Sequence, residues 1–173
     1  MSNSQELISY VVQRVNDDKY SLQVDHAMLK LICLVLTQEG IPTGFQFVCR
    51  ENRLYSKELQ KGLLFIFNSN ANIKASDFSE QELEIAERCI DLLCRMKNTE
   101  QIEITSAILY CHAELIQQYV PTEKQLFARV ITWNPAWLDR MDFIVFRMRD
   151  LAELQWITMN PDYDSFDFEE ELF

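Results

Sequence analysis

Two histidines, five cysteines and 27 acidic side chains are the groups in this 173-residue chain that could do chemistry. His26 stands at an expected helix start, and His112 falls inside an expected helix next to Cys111. A zinc site needs about four Cys, His or carboxylate ligands converging at tetrahedral geometry. Cys89 and Cys94 share one expected helix, where at ~100° per residue they lie about 140° apart and face different ways. Adjacent helical residues diverge, so Cys111 and His112 cannot form a thiolate–imidazole pair directly. The sequence contains no Gly-rich phosphate loop, no G-x-S-x-G elbow and no H-E-x-x-H. The expectation is a protein without catalytic residues, metal site or cofactor.

The cysteines point the same way. Cys33, Cys49, Cys89, Cys94 and Cys111 are odd in number, sit in apolar stretches and include no C-x-x-C pair. They read as buried, reduced thiols of a cytoplasmic protein. No run of 18 apolar residues is present, so no membrane span is expected. The first sixteen residues carry Glu6 and lack a basic segment followed by an apolar run, so no secretory signal is expected.

Charge is the next source of function. The net charge is −11. Six acids and no bases lie between Asn160 and Phe173, leaving 21 acids against 16 bases, or −5, on the rest. In that final segment the acids alternate with rings: Tyr163, Phe166, Asp167, Phe168, Glu169, Glu170 and Phe173 are its candidate partner-binding residues. A segment so charged cannot build its own core. It can dock aromatics into an apolar groove while its carboxylates meet Lys or Arg on a partner. Solubilising the chain, or folding back onto its own domain, are the plainer uses of such a tail.

Basic residues are thinner. Arg140, Arg147 and Arg149 lie on the expected last helix and are its possible nucleic-acid contacts, with Arg140 and Arg147 on one face. Asp139, Asp142, Asp150 and Glu153 share that helix and leave it slightly negative. DNA binders normally concentrate Lys and Arg on one surface. Direct nucleic-acid binding is therefore the weaker reading.

The elements that must position these groups are mainly helices. Only 3 Gly and 4 Pro are present beside 48% hydrophobic residues, a balance that favours long elements and few tight turns. Apolar spacing predicts a helix over about 5–15 and another opened by Asp25 and closed at Gly40-Ile41-Pro42. Phe45, Phe47 and Cys49 alternate with Gln46 and Val48, which reads as a short strand, with a turn at Glu51-Asn52-Arg53. Ser56 caps a helix through Leu59, Leu63 and Phe67, although 63–67 would also suit a strand.

Ser79–Glu82 and Thr122–Gln125 are capping boxes that open further helices. The first buries Leu83, Ala86, Ile90, Leu93 and Cys94 and ends near Asn98. Between the two boxes, a helix over about 102–119 turns Ile104, Ile108, Cys111, Leu115 and Tyr119 inward. Asn134-Pro135 opens the last helix, with Leu138, Met141, Ile144, Val145, Met148 and Leu151 on its apolar face. The predicted fold is a compact bundle of about six helices with a short β element near residues 44–55 and a C-terminal helix-turn-helix-like pair. Residues 1–158 form one helical domain and 159–173 the acidic-aromatic tail.

Several short motifs carry a resemblance. Ala27-Met28-Leu29-Lys30-Leu31-Ile32-Cys33 resembles the "lqKLlYl" helix of the Panacea (SocA-like antitoxin) domain family and its YwgA-type relatives. Gly40-Ile41-Pro42-Thr43-Gly44-Phe45-Gln46-Phe47 is similar to that family's "G-x-P-x-G-Y-x-F", and Leu54-Tyr55-Ser56-Lys57-Glu58-Leu59 to its "GPYS-x-E-L". Ile104 to Cys111 resembles the relatives' "aTl-y-l" helix, and Arg129-Val130 through Leu154 their closing helix-turn-helix. The likeness covers roughly residues 5 to 157. Arg53-Leu54 replaces the family's Gly-Pro, so that turn must differ, and the acidic tail has no counterpart in the pattern.

The resemblance implies a helical fold with a small β element and a role near toxin–antitoxin or phage-related systems, with no catalytic residues to carry over. The leading expectation is thus a protein–protein interaction module that neutralises or recruits a partner bearing a basic or apolar groove. A winged-helix-like regulator and an acidic decoy for a nucleic-acid site are the alternatives.

Overall fold

The computed structural model describes residues 3–17, 24–67, 72–161 and Phe166, with backbone alone for Asn3 and for 63–67. Among them are seven α-helices, two 3-10 turns and one two-stranded antiparallel sheet, so the chain is mainly helical. It divides into two compact units, Met1–Glu103 and Ile104–Phe173.

In the first unit, α1 (Asn3–Asp17) packs against α2 (His26–Gln38), α3 (Lys57–Phe67) and α4 (Glu80–Cys94), and α2 also meets α4. Leu7, Ile8, Val11 and Val15 follow the helical repeat along α1 and are almost fully buried. In α2 every residue from Leu31 to Leu36 is buried, as expected of a helix apolar on all sides. Asp25 starts α2 as predicted, its carboxylate accepting the Met28 N–H at 2.9 Å. Ser79 opens α4: its hydroxyl accepts the Glu82 N–H at 3.2 Å, and Glu82 accepts the Ser79 N–H at 2.8 Å. The buried face of α4 is Ile85, Ala86, Cys89, Ile90, Leu92 and Leu93. Leu83 and Cys94, expected inside, are only half-covered.

The expected strand shifts toward the C-terminus. β1 (Val48–Arg50) pairs with β2 (Arg53–Tyr55), Cys49 opposite Leu54. Upstream, Gly44 takes a left-handed φ of 76° and the Thr43 hydroxyl accepts the Phe45 N–H at 3.3 Å. The backbone there turns, and Phe45 packs inward without a ladder. Both residues joining the strands, Glu51 and Asn52, have positive φ, which matches the right-handed twist of a two-residue hairpin. Asn accepts that region readily, whereas for Glu51 it costs roughly 1–2 kcal/mol. The backbone over 63–67 continues α3, which settles the strand-or-helix ambiguity in favour of helix.

The α5 helix (Thr99–Leu115) contains the boundary between the units. It stops at Leu115, so Tyr119 leaves the predicted face and is 45% exposed. In the second unit, α6 (Glu123–Trp133) and α7 (Met141–Glu153) pack together and against the 3-10 turn Pro135–Arg140, completing the helix-turn-helix-like pair. Leu126, Val130 and Trp133 from α6 are buried, as are Ile144, Val145, Met148 and Leu151 from α7. The Trp133 ring stands edge-on to Tyr110 at 5.0 Å. Asn134 and Pro135 do open an element, but a 3-10 turn at three residues per turn. With that tighter winding Trp137 is buried, and Leu138, expected on the apolar face, is 60% exposed.

Beyond α7 the chain reverses at Gln155, whose φ is 64°. Ile157 is buried, and Asn160 forms a parallel bridge with Thr122 while its N–H donates to the Pro121 carbonyl at 2.8 Å. The root of the C-terminal segment is thereby laid beside the start of α6.

Candidate functional site

The start of α6 is the best-defined polar site of the second unit. Pro121 ends the preceding connection, and the Thr122 hydroxyl accepts the Gln125 N–H at 3.2 Å while Gln125 accepts the Thr122 N–H at 3.0 Å. This box fixes Glu123 at the first helical position, where the helix dipole favours an anion. Glu123 is only 5% exposed. An ionised carboxylate so deeply placed needs a partner.

Arg149 of α7 supplies it with a two-point fork, Nε to Oε2 at 2.8 Å and Nη2 to Oε1 at 2.9 Å. The pair then grips the main chain of Phe166. The Phe166 N–H donates to Glu123 Oε1 at 2.8 Å, and Arg149 Nη2 donates to the Phe166 carbonyl at 2.7 Å. The Phe166 ring stands edge-on to Phe127, 5.1 Å between centroids, with the Lys124 ammonium 5.7 Å from its centre. One residue therefore has both backbone polar groups and its ring satisfied by four side chains of α6 and α7.

Of the expected partner-binding residues, Phe166 is thus seated on its own unit. Tyr163, Asp167, Phe168, Glu169, Glu170 and Phe173 lie outside the described residues. Glu123, Lys124 and Phe127 carry the cradle but were not singled out from sequence. Their signal is the capping box that places Glu123, with Phe127 four residues on along the same helical face.

The three arginines proposed for nucleic acid are dispersed. Arg140 lies in the 3-10 turn, half-exposed, with Asp139 at 3.8 Å. Arg147 is buried to 2%, pairs with Asp150 at 2.7 Å and lies 5.3 Å and 5.8 Å from the Phe143 and Phe146 rings. Arg149 is held by Glu123. The shared face expected for Arg140 and Arg147 assumed one continuous α-helix. The 3-10 geometry before Met141 breaks that register.

Elsewhere in this unit, the His112 imidazole is half-buried, its Nε2 lying 3.1 Å from both the N–H and the carbonyl of Thr158. Burial lowers its pKa, partly offset by the Thr158 contact. In the first unit, the Cys33 and Cys89 thiols are buried in α2 and α4, which pushes Cys33 well up and Cys89 to about 12. Cys111 is also buried, but Cys49 is exposed and Cys94 half-covered, against the expectation of five interior thiols. The short strand leaves Cys49 open: all three residues of β1, Val48, Cys49 and Arg50, are exposed, so neither of its faces is covered. Among the described residues no group of three or more His, Cys, Asp or Glu could hold a metal ion, and no helix is long and apolar enough to cross a membrane.

No family model matches the chain, and no curated protein or solved structure is similar to it at a significant level.

Proposed function

We propose that this chain is a non-enzymatic protein–protein interaction module whose acidic, aromatic C-terminal segment engages a partner bearing a basic or apolar groove. The supporting observation is the environment of Phe166. Its ring meets Phe127 and a Lys124 ammonium while its main chain meets the Glu123–Arg149 pair. Those are the contacts an acidic-aromatic segment would make on a basic, apolar surface of another protein. The motif resemblance to the Panacea antitoxin family extends the proposal: the module is antitoxin-like or related to phage defence or anti-defence, acts in the cytoplasm, and neutralises or recruits its partner. Nucleic-acid binding is the weaker reading because Arg147 is buried and Arg149 is committed to Glu123.

The test is affinity capture from the native host with the full chain and with a variant lacking residues 162–173. A partner retained by the first and lost by the second supports the proposal. Equal capture by both removes the C-terminal segment from it.

A further inference from the structure

The cradle at the start of α6 has properties of a recognition site in its own right. Glu123 Oε1 offers an acceptor and Arg149 Nη2 a donor, placed so that a single residue's N–H and C=O satisfy both. Such main-chain reading is indifferent to side-chain identity and supplies affinity, as when an extended peptide joins a sheet edge. Selectivity then comes from the ring contact with Phe127 and from charge: Lys124 and Arg149 flank the seat, and acids flank its occupant at Asp164 and Asp167. Glu123 is held by the fold through its capping box and Arg149, so the acceptor exists before any ligand arrives.

We infer that Glu123, Lys124, Phe127 and Arg149 form a binding site for an acidic peptide bearing a phenylalanine, and that Phe166 occupies this site in cis. The tail repeats the chemistry the site reads, since Asp167-Phe168 follows Ser165-Phe166 in the same acidic context. A peptide of this class competes with Phe166 for the seat. The tethered residue holds an advantage because linkage raises its effective concentration, to the order of millimolar for short tethers. The site is a property of the body, so it stands or falls independently of whether the tail also engages an outside partner.

The experiment uses the full-length chain and a fluorescein-labelled peptide with the sequence of residues 162–173. Fluorescence anisotropy is read on the native chain, on a Phe166→Ser, Phe168→Ser variant (the emptied chain, its seat freed of the competing ring), and on that variant carrying Arg149→Lys. The emptied chain is expected to bind at least about tenfold more tightly than the native one. Arg149→Lys keeps the charge but loses the planar fork that serves Glu123 and the peptide carbonyl together, and should remove about tenfold of the gain. A peptide with both interior phenylalanines changed to serine keeps the main-chain contacts but loses the ring, and should bind at least about tenfold more weakly. Amide NMR of the emptied chain, which also reports folding, should show peptide-induced shifts around 121–127 and 147–151. Equal binding to the native and emptied chains, no binding to either, or shifts confined to other regions would overturn the inference. A failed partner capture would leave this result untouched, because no third protein enters the assay.

Discussion

Glu123 and Arg149 meet across 26 residues of sequence in a fork whose two contacts, 2.8 and 2.9 Å, join the first turn of α6 to the last part of α7. The carboxylate is buried and the guanidinium half-exposed. Removing either partner therefore has unequal consequences. Arg149→Ala strands a covered carboxylate, which costs several kcal/mol when burial is complete. Water can enter from the arginine's exposed side, so the expected loss is about 2–3 kcal/mol. Glu123→Gln keeps an acceptor and loses the charge, for about 1–2 kcal/mol. Urea unfolding of both single variants and the double should give a coupling above about 1 kcal/mol. Additive effects would mean that the fork does not hold the two helices together.

Arg140 and Arg147 should separate sharply. Arg147→Ala removes the counter-charge of Asp150 and the cation from the Phe143 and Phe146 rings, all at a nearly fully buried position. A loss of about 3 kcal/mol is expected. Arg140→Ala, at a half-exposed position, should stay within about 0.5 kcal/mol. Matching effects in thermal or urea unfolding would contradict the burial of Arg147.

The Glu123–Arg149 fork is the part of the site that is illegible in sequence. The helix caps at Asp25, Ser79 and Thr122 were readable because each is a bond between residues three apart, decided by local chemistry. The fork is decided by which helix start faces which helix end, and no local spacing encodes that. Sequence alone weighs the Arg149 charge against neighbours on α7, while its partner Glu123 approaches from α6. Leu138 leaves its expected inward place for a similar reason: the apolar pattern tolerates both windings, and the Asn134–Pro135 start leads into a 3-10 turn. The mainly helical class is legible because it rests on composition and on many repeats at once.

His112 gives a pH signature with a definite sign. Its folded pKa lies below the ordinary histidine value, so the unfolded chain takes up the proton first. Its contribution is fully present above about pH 6.5, the unfolded value, and declines as pH falls through the lowered folded pKa. His112→Gln should flatten the stability profile on the acidic side of pH 6.5, by at most about 1.4 kcal/mol per pH unit for one proton. Unfolding midpoints measured from pH 7.5 to 5 check this; an unchanged slope would show that the ring is as well solvated folded as unfolded.

The thiols should label in order of cover. Cys49 is exposed and Cys94 half-covered, whereas Cys33, Cys89 and Cys111 are buried. For Cys33 and Cys89 burial also raises the pKa and suppresses the reactive thiolate. Brief alkylation at pH 8 followed by peptide mass spectrometry should find Cys49 modified first, Cys94 more slowly, and the other three only after denaturant is added. Early modification of Cys33 or Cys89 would contradict the packing of α2 with α4.

The boundary between the two units falls inside α5, between Glu103 and Ile104. Ile102 and every residue from Ile104 to Leu109 are buried there, and no Gly- or Pro-rich connector intervenes. A protease needs extended backbone to enter, and this stretch, with Glu103 its one exposed residue between Ile102 and Leu109, is helical throughout. Splitting the gene at that point would cut through consecutive helical turns and bare the apolar side chains of α5 that flank the break.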